Sequence, residues 1–292
     1  MANPRIPYRM SSARPVLPQM QGKSILVHLV VNVEHWQFGH AMPRTIITPP
    51  HGRETVPDVP NFSWADYGMR AGLPRILNLF RQRGLPASAS FNAGVIDAYP
   101  EAAIAMRDAG WEFIGHGMHQ KAMNHAETSE AQLIRACLDK IKGFTGQRVR
   151  GWLSPGLRET HHTPDLLKEA GLDYVCDWVV DDLPSYMTTQ AGPLVAMPYN
   201  LEVNDSIIYA IERHATGEMA RRLAFTLAQF EHESTASPRV LAIGLHPHLI
   251  AVPHRIHELV QMLDLLEASD KVLFTTGSAI CDWFTAHQQP GD

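Results

Sequence analysis

Short apolar runs alternate with longer amphipathic stretches along most of the chain. Residues 24–33 (SILVHLVVNV) are almost continuously apolar, which is typical of a strand covered on both faces. Residues 71–82 carry apolar side chains three or four positions apart and stop before Gly84, which predicts a helix. Similar runs predict further strands at residues 85–92, 111–115, 149–153, 172–176, 194–199, 239–245 and 272–275. Similar spacings predict further helices at residues 100–109, 129–144, 163–170, 217–232, 254–268 and 278–287.

About eight strands separated by helices predict an α/β fold with a parallel sheet and right-handed crossovers. No glycine-rich phosphate motif follows the first strand, which favours a closed or nearly closed (β/α) barrel over an open nucleotide-binding sheet. We expect residues 1–22 to form an extended arm and residues 23–292 to form a single catalytic domain. The irregular stretch at residues 36–61 is long for a connection, and such loops often cover a binding site.

Composition narrows the class of protein. A chain of 292 residues with 45% hydrophobic positions suits one large α/β domain. The three cysteines are widely spaced, so neither a disulfide framework nor a cysteine zinc site is expected, and a reducing compartment fits best. A net charge of −5 without blocks of like charge argues against nucleic acid as a partner.

The N-terminal segment and the apolar runs bear on location. Residues 1–22 hold arginines and prolines without an apolar core, unlike a signal peptide. The longest apolar run, residues 25–31, is too short to cross a bilayer. We therefore expect a cytoplasmic protein with no membrane partner.

Polar side chains follow the predicted strands where each strand ends. In a βα barrel, catalytic groups come from these C-terminal ends, which meet at one rim. The residues at these ends are Asn32, Glu34 and His35, then Asn92, His116, His119, Ser154, Asp177, Asn200 and His246. This regularity predicts a single site at that rim.

Three of these side chains are the strongest candidates for catalysis. Glu34 can ligate a metal or take a proton from water, although a solvated or ion-paired glutamate would look the same. His116 lies in GHGMH, where glycines allow close approach to a ligand, and a buried structural histidine is the alternative. His246 ends the apolar run LAIGLH. A carboxylate and imidazoles can activate water, protonate a leaving nitrogen and stabilise an oxyanion, so we expect a hydrolase.

For the other candidate residues, a structural role is as good an explanation as a functional one. The chain has no GxSxG motif, and no cysteine has an obvious nucleophile setting, so a covalent acyl-enzyme is not expected, although Ser154 stays open as a nucleophile. Tyr67 and Arg70 in DYGMRAG either line the pocket or open a helix. Asp182 is either catalytic or a loop carboxylate.

The same segments resemble the polysaccharide deacetylase (NodB-homology) superfamily, in particular its branch of cofactor-independent allantoinases and cyclic imide hydrolases. The resemblance covers roughly residues 23–287. The matching segments are NVEH (32–35), DYGMRAGLPRIL (66–77), EFIGHG (112–117), TGQRVRGWLSPG (145–156), DYVCDWVVDDLP (173–184) and IGLHPHLI (243–250). It implies a distorted parallel (β/α) barrel, usually with seven strands, so we expect seven to eight here.

The resemblance also assigns roles. Asn32 and Glu34 match the catalytic-base and metal-binding aspartates of metal-dependent deacetylases, and His246 matches a late histidine placed to act as an acid. His116 matches the first histidine of an HxxxH ligand pair, but Gln120 stands where the second should be. A neutral amide is a poor zinc ligand, so no cofactor is favoured. A weakly bound divalent metal, such as zinc, would be held by Glu34, His116 and His119.

Two departures from the allantoinase-like pattern bear on the substrate. Such members carry a second glutamate where this chain has His35, and a tyrosine–threonine stretch where it has Leu153-Ser154-Pro155. The leading expectation is therefore ring opening of a cyclic imide, ureide or related amide. The side chains expected to contact it are Asn32, His35, Tyr67, Arg70, His119, Trp152, Ser154 and Asp182.

Two other functions stay open. The first is metal-dependent N-deacetylation of a polysaccharide or amino sugar. The second is a barrel without catalytic activity that binds a small molecule. The resemblance further implies a homo-oligomer, often a tetramer.

Overall fold

A computed structural model describes residues 3–49, 52–53, 55–123, 129–234 and 237–291. The strands are β1 (Ile25–Val33), β2 (Ser88–Phe91), β3 (Glu112–Gly115), β4 (Gly151–Trp152), β5 (Tyr174–Val175), β6 (Ser185–Thr189), β7 (Gly192–Ala196), β8 (Arg239–Leu245) and β9 (Val272–Thr275). The α-helices are α1 (Val59–Tyr67), α2 (Leu73–Arg83), α3 (Val95–Ala98), α4 (Pro100–Asp108), α5 (Glu130–Thr145), α6 (Thr163–Glu169), α7 (Glu218–Glu233), α8 (Ile256–Glu267) and α9 (Gly277–His287). The predicted α/β alternation is confirmed.

The strands form one mostly parallel sheet that curls into an incomplete barrel. Within the described residues its order is β6-β7-β5-β4-β3-β2-β1-β8, and β9 also pairs with β1. The central strand β1 has β8 along one side, while β9 and β2 share the other side, beside residues 25–28 and 30–33 respectively. The distorted NodB-like barrel expected from the sequence is therefore confirmed, and the sheet stays open between its edge strands β6 and β8.

Two elements differ from the sequence-based expectation. Residues 185–189 (SYMTT) form β6, an antiparallel partner of β7 that was not predicted because a short, half-polar edge strand resembles a loop. Helix α1 begins inside the stretch expected to be irregular. Asp58 caps it by accepting a hydrogen bond from the backbone N–H of Asn61, with a proline in the first turn.

Side chains along β1 alternate between two hydrophobic clusters. Val27 and Val31 belong to the outer cluster, under the helices. Leu26 and Val30 belong to the inner cluster, which α9 fills with residues such as Phe284. Because successive residues of a strand point to opposite faces, Asn32 and Glu34 continue the inner row.

The N-terminal segment lies against its own chain. Ile6 and Leu17 are buried, and Arg5 pairs with Asp165 at 2.7 Å. Cys137, Cys176 and Cys281 are buried free thiols. In the part of the chain that the structure describes, no helix has both the length and the apolar character needed to span a bilayer.

A half-buried carboxylate ties the barrel together at the end opposite the strand C-termini. Glu112, the first residue of β3, accepts hydrogen bonds from Tyr174 Oη and from the backbone N–H groups of Gly277 and Ser278, each at 2.9 Å. Ser88 Oγ donates to it as well. Glu112 therefore caps α9 while joining β2, β3 and β5, and carboxylates at helix N-termini are stabilising.

Replacing this carboxylate should weaken the fold. Glu112→Gln keeps the shape but turns one acceptor into a donor facing N–H groups, so we expect the free energy of unfolding to fall by about 1–3 kcal/mol. Urea unfolding at pH 7 measures the change. Glu169→Gln, at an exposed position of α6, is the matched control. An unchanged unfolding midpoint for Glu112→Gln would show that the cluster does not stabilise the fold.

Candidate active site

Glu34, His116 and His246 line one cavity of about 760 Å³ at the C-terminal ends of the strands. Each follows directly after its strand: β1, β3 and β8 respectively. Each also continues an inner row, since Val30, Ile114 and Ala242 belong to the inner cluster. The alternation of side chains therefore brings three residues that are distant in sequence to the same mouth.

Asp205 holds His246 by two hydrogen bonds. One carboxylate oxygen accepts from Nδ1 of the imidazole and the other from the backbone N–H, both at 2.6 Å. Asp205 is fully buried. Burial lowers the pKa of His246, but the charge of Asp205 and its hydrogen bond, with Glu34 adding, outweigh burial and leave the pKa above its usual value. His246 is thus held as a proton donor whose Nε2 faces the cavity.

His116 has the opposite character. Its Nδ1 donates to the carbonyl oxygen of Leu153 at 2.5 Å, and burial lowers the pKa of the imidazole. A carbonyl can only accept, so the neutral ring carries its free lone pair on Nε2. His116 Nε2 and Gln120 Oε1 are both buried without a hydrogen-bond partner among the described residues. Both are open to a substrate or a water molecule.

The Glu34 carboxylate lies beside His246, and its charge also acts on His116. Oε1 is 3.6 Å from His246 Nε2, and Oε2 accepts a hydrogen bond from Trp36 Nε1 at 2.7 Å. The Trp36 ring packs edge-on against Trp64 and against His248, which also lines the cavity. Glu34 is therefore fixed by an aromatic wall on one side and faces His246 Nε2 on the other.

Tyr199 is a cavity residue that sequence reasoning missed. Its hydroxyl accepts hydrogen bonds from the amide groups of Asn32, at 2.9 Å, and Asn204, at 3.1 Å. Burial raises its pKa, so the phenol keeps its proton. With both acceptor positions occupied, the hydroxyl hydrogen is left to donate. Gly244 permits this arrangement, because a Cβ there would lie 2.7 Å from Tyr199 Oη.

Asp205 was missed as well. The predicted strand 194–199 was followed only as far as Asn200, and the polar run Asn204-Asp205-Ser206 was the one available signal. Sequence distance hides the pairing with His246, which lies 41 positions further along the chain.

His35 and His119, expected to contact substrate, do not line the cavity. They lie on the outer side, where their Nδ1 atoms are 3.0 Å apart and His35 packs edge-on against Tyr99. His35 follows Glu34 by one residue, so strand alternation turns it the other way. Burial, together with nearby positive charges, lowers the pKa of His119 to about 4.

Trp152 and Ser154 have packing roles. Trp152 is fully buried in the outer cluster, and its Nε1 donates to Ser154 Oγ at 3.0 Å. Ser154 does line the cavity, and its backbone N–H donates to Asp177 at 2.7 Å. The Ser154 side chain also contacts the carboxyl group of Asp177, whose pKa burial raises.

Tyr67 and Arg70 also lie outside the cavity. Tyr67 Oη accepts from Arg75, and Arg70 forms an ion pair with Asp66 with its side chain 75% exposed. The glycines of the same motif face the site instead. A Cβ on Gly68 would come within 2.6 Å of the His248 backbone nitrogen, so the motif allows its helix to approach the segment after β8.

Asp182 lies at the wrong end of the barrel. Its carbonyl oxygen accepts from the backbone N–H of Val240, near the start of β8, whereas His246 follows the end of that strand. The loop that carries Asp182 runs away from the mouth. The Asp182 side chain therefore cannot contact a molecule bound beside Glu34.

The donor set around His116 fits a zinc ion poorly. Glu34 and His116 offer a carboxylate and an imidazole, but the third position carries the amide of Gln120, and His119 faces the outer side. Across the described ranges, no three histidine, cysteine, aspartate or glutamate side chains are placed to hold a metal ion together. Zinc sites commonly use at least three such donors.

A second pair of carboxyl groups lies beneath the loop that follows β4. Asp177 is half-buried with its Oδ2 shielded from solvent, and Glu159 accepts a hydrogen bond from Trp178 Nε1 at 2.8 Å. Burial raises the pKa of both groups; the neighbouring Asp177 raises that of Glu159 further, whereas the hydrogen bond with Glu159 partly offsets the rise at Asp177. Two adjacent carboxyl groups share one proton readily. This shared proton links the β4 loop to the segment after β5.

The polysaccharide deacetylase family profile matches residues 62–175. A crystal structure of a probable polysaccharide deacetylase from Pseudomonas aeruginosa PAO1 has 27% identity and a TM-score of 0.81, over 92% of this chain and 94% of that one. A crystal structure of PuuE allantoinase has 26% identity and a TM-score of 0.82, over 95% of this chain and 96% of that one. A peptidoglycan deacetylase of Helicobacter pylori is 26% identical over 156 residues, 53% of each chain, so the match spans about half of that relative.

The matched segment and the fold as a whole are therefore similar to those of polysaccharide deacetylases, as the sequence motifs indicated. The proteins to which the chain is similar are named as deacetylases and as an allantoinase.

The Glu159–Asp177 pair should make stability depend on pH. A carboxyl group with a raised native pKa stabilises the fold fully below its unfolded pKa, and this stability is lost as pH rises through the native pKa. We expect wild-type stability to fall between pH 6 and 9 by up to about 1.4 kcal/mol per pH unit for one proton. Glu159→Gln, which can still donate to Asp177, should flatten this slope in urea unfolding. Equal slopes for this variant and for Glu169→Gln would contradict the shared proton.

Proposed function

We propose that the protein hydrolyses the ring carbon–nitrogen bond of a cyclic amide, imide or ureide. The observation that carries this is the Asp205–His246 pair, whose Nε2 lies 3.6 Å from Glu34 Oε1 inside the shared cavity. A group that can accept a proton, Glu34, thus lies next to a group that can donate one, His246. General acid and base groups each contribute roughly 10²- to 10⁴-fold to such reactions.

The first step is attack by water on the ring carbonyl. Glu34 takes the proton as the new carbon–oxygen bond forms, and the free Nε2 lone pair of His116 accepts the second O–H of the same water. His116 stays neutral because burial lowers its pKa. Glu34 is the better general base of the two, because it alone can pass the proton on to His246.

The second step breaks the ring bond. His246 donates the Nε2 proton to the departing nitrogen as the carbon–nitrogen bond cleaves, which gives a carboxylic acid and an amine or amide in one open chain. The imidazole is then neutral and the Glu34 carboxyl group protonated. The two groups lie 3.6 Å apart, and transfer of that proton to His246 Nε2, once they close to hydrogen-bond distance, restores both for the next cycle.

Tyr199 supplies a donor for the tetrahedral intermediate. Its hydroxyl hydrogen is the one not used by Asn32 or Asn204, and a donor fixed in advance stabilises an oxyanion without reorganising. Removing one such donor typically costs about 10²- to 10³-fold in kcat.

The proposal includes activity without a tightly held metal, which the poor donor set supports. The alternative is metal-dependent N-deacetylation, supported by the family profile and by the name of the Helicobacter pylori relative. The buried free thiols support action in a reducing compartment such as the cytoplasm. Assembly into a homo-oligomer stays a prediction.

A substrate panel tests the proposal. Protein dialysed against EDTA is assayed with succinimide, hydantoin, dihydrouracil and allantoin, and with N-acetylglucosamine oligomers for acetate release. We expect ring opening of at least one cyclic compound to survive EDTA, and Glu34→Gln to lower its kcat at least 100-fold because the base is lost. Glu101→Gln, on the exposed side of α4, is the control.

Two outcomes would contradict it. Acetate release that EDTA abolishes and zinc restores, without ring opening, would establish the deacetylase reading. If no compound in the panel is hydrolysed but a cyclic compound binds measurably, the result would favour a barrel without catalytic activity.

Asp205 should set the alkaline limit of activity. His246 must be protonated to act, so rate is lost as pH rises through its pKa, and Asp205 holds that pKa up. Asp205→Asn should therefore move the alkaline limb of kcat to lower pH and reduce kcat about 10- to 100-fold at its optimum. A pH–rate profile measures both, with the exposed Asp139→Asn as control. An alkaline limb that does not move would remove His246 from the role of acid.

A further inference from the structure

Three cationic side chains surround the mouth of the active-site cavity. Arg44 comes from the stretch between β1 and α1, Lys121 from the loop after β3, and Arg158 from the loop after β4. Arg44 is half-buried, whereas Lys121 and Arg158 are exposed. Three separate loops thus bring positive charge to one opening.

The cavity offers these cations little negative charge in return. Glu34 is the one acidic side chain among the described residues that line it, and it faces His246. Within the described ranges, no carboxylate lies within 4.0 Å of Arg44, Lys121 or Arg158. By contrast, Arg5 and Arg150 form ion pairs with aspartates at 2.7 and 2.5 Å. The positive charge at the mouth is therefore uncompensated, and an anionic ligand would neutralise it.

Arg44 links this mouth to the catalytic groups. Its Nη1 donates to the carbonyl oxygen of Ser206 at 3.3 Å, and Ser206 follows Asp205 directly. One hydrogen bond leaves most of its N–H groups unused, since a guanidinium has five. A group bound by Arg44 would therefore lie beside His246, where the ring bond is cleaved.

We propose that the natural substrate is a cyclic amide carrying a carboxylate, and that Arg44, Arg158 and Lys121 bind this carboxylate and determine specificity. This inference rests on the proposed ring-opening function. A guanidinium matches a carboxylate with two parallel hydrogen bonds, which fixes direction as well as charge. The carboxylate at the mouth then orients the ring so that its carbonyl carbon faces Glu34 and its nitrogen faces His246.

The test compares hydantoin with hydantoin-5-acetate, two compounds that share one ring and differ by a carboxylate arm. We expect kcat/KM to be at least tenfold higher for the carboxylated compound at low salt. Arg158→Gln and Arg44→Gln should each reduce that preference roughly tenfold, as expected for loss of one charge-assisted contact. Added NaCl at 0.5 M should shrink the preference as well, since exposed charges are screened.

Arg135→Gln, on the exposed face of α5 and away from the cavity, is the matched control and should leave the preference unchanged. Equal kcat/KM for both compounds, with turnover intact, would overturn the carboxylate proposal while leaving ring opening in place. A preference that survives both arginine variants would overturn the assignment of these residues.

Binding measurements test the carboxylate site even if the protein does not open the ring of either compound. If neither compound is turned over, calorimetric titration of the wild-type protein with each still decides the point. Tighter binding of hydantoin-5-acetate that weakens in Arg158→Gln would support the anion site. Absence of binding, or equal binding of the two compounds, would overturn it. If the protein hydrolysed only carboxylated amino-sugar oligomers, the proposal that its substrate is a cyclic amide would be overturned.

Discussion

Residues 200–206, which follow β7, lie along the free edge of β8, and the candidate active site depends on these contacts. Asn200 Oδ1 accepts from the backbone N–H of Ala242 at 2.8 Å, Asn204 forms a bridge with Gly244, and Asp205 holds His246. These contacts run up β8 in steps of two residues, so each meets the edge of β8 that does not pair with β1. The segment completes the barrel wall and aims the catalytic imidazole with the same bonds.

The two histidines of the site show how one cavity can hold both an acid and a base. Both are buried, and burial alone lowers an imidazole pKa. What separates them is the partner of Nδ1. A neutral carbonyl oxygen supports the uncharged ring of His116, whereas the buried carboxylate of Asp205 supports the charged ring of His246. Glu34 lies in the same cavity as both rings, and its Oε1 is 3.6 Å from Nε2 of His246, the proposed proton donor.

Much of the fold was predictable because strands buried on both faces read as apolar runs, and the β1 and β8 runs were unmistakable. The positions of Glu34, His116 and His246 followed from the rule that barrel chemistry sits at strand ends. Their neighbours could not be sorted in this way, because a strand end offers two adjacent polar residues and alternation admits only one. His35 beside Glu34 shows the difficulty, since its side depends on register that the sequence does not display.

Residues outside the strands were harder still. Asp205 and Tyr199 act through partners far away in the chain, and no local spacing marks them. DYGMRAG drew attention to its tyrosine and arginine, yet its glycines are what the site requires, because they let the helix approach the backbone of His248. Edge strand β6 escaped notice because half of its positions are polar.

The three buried thiols have a practical consequence. Cys137, Cys176 and Cys281 are shielded from solvent, and burial raises their pKa values, so little thiolate exists in the folded protein. An alkylating reagent would reach them only when the chain opens. They lie on α5, at the end of β5 and on α9, so the order in which they become labelled would map which wall of the barrel loosens first.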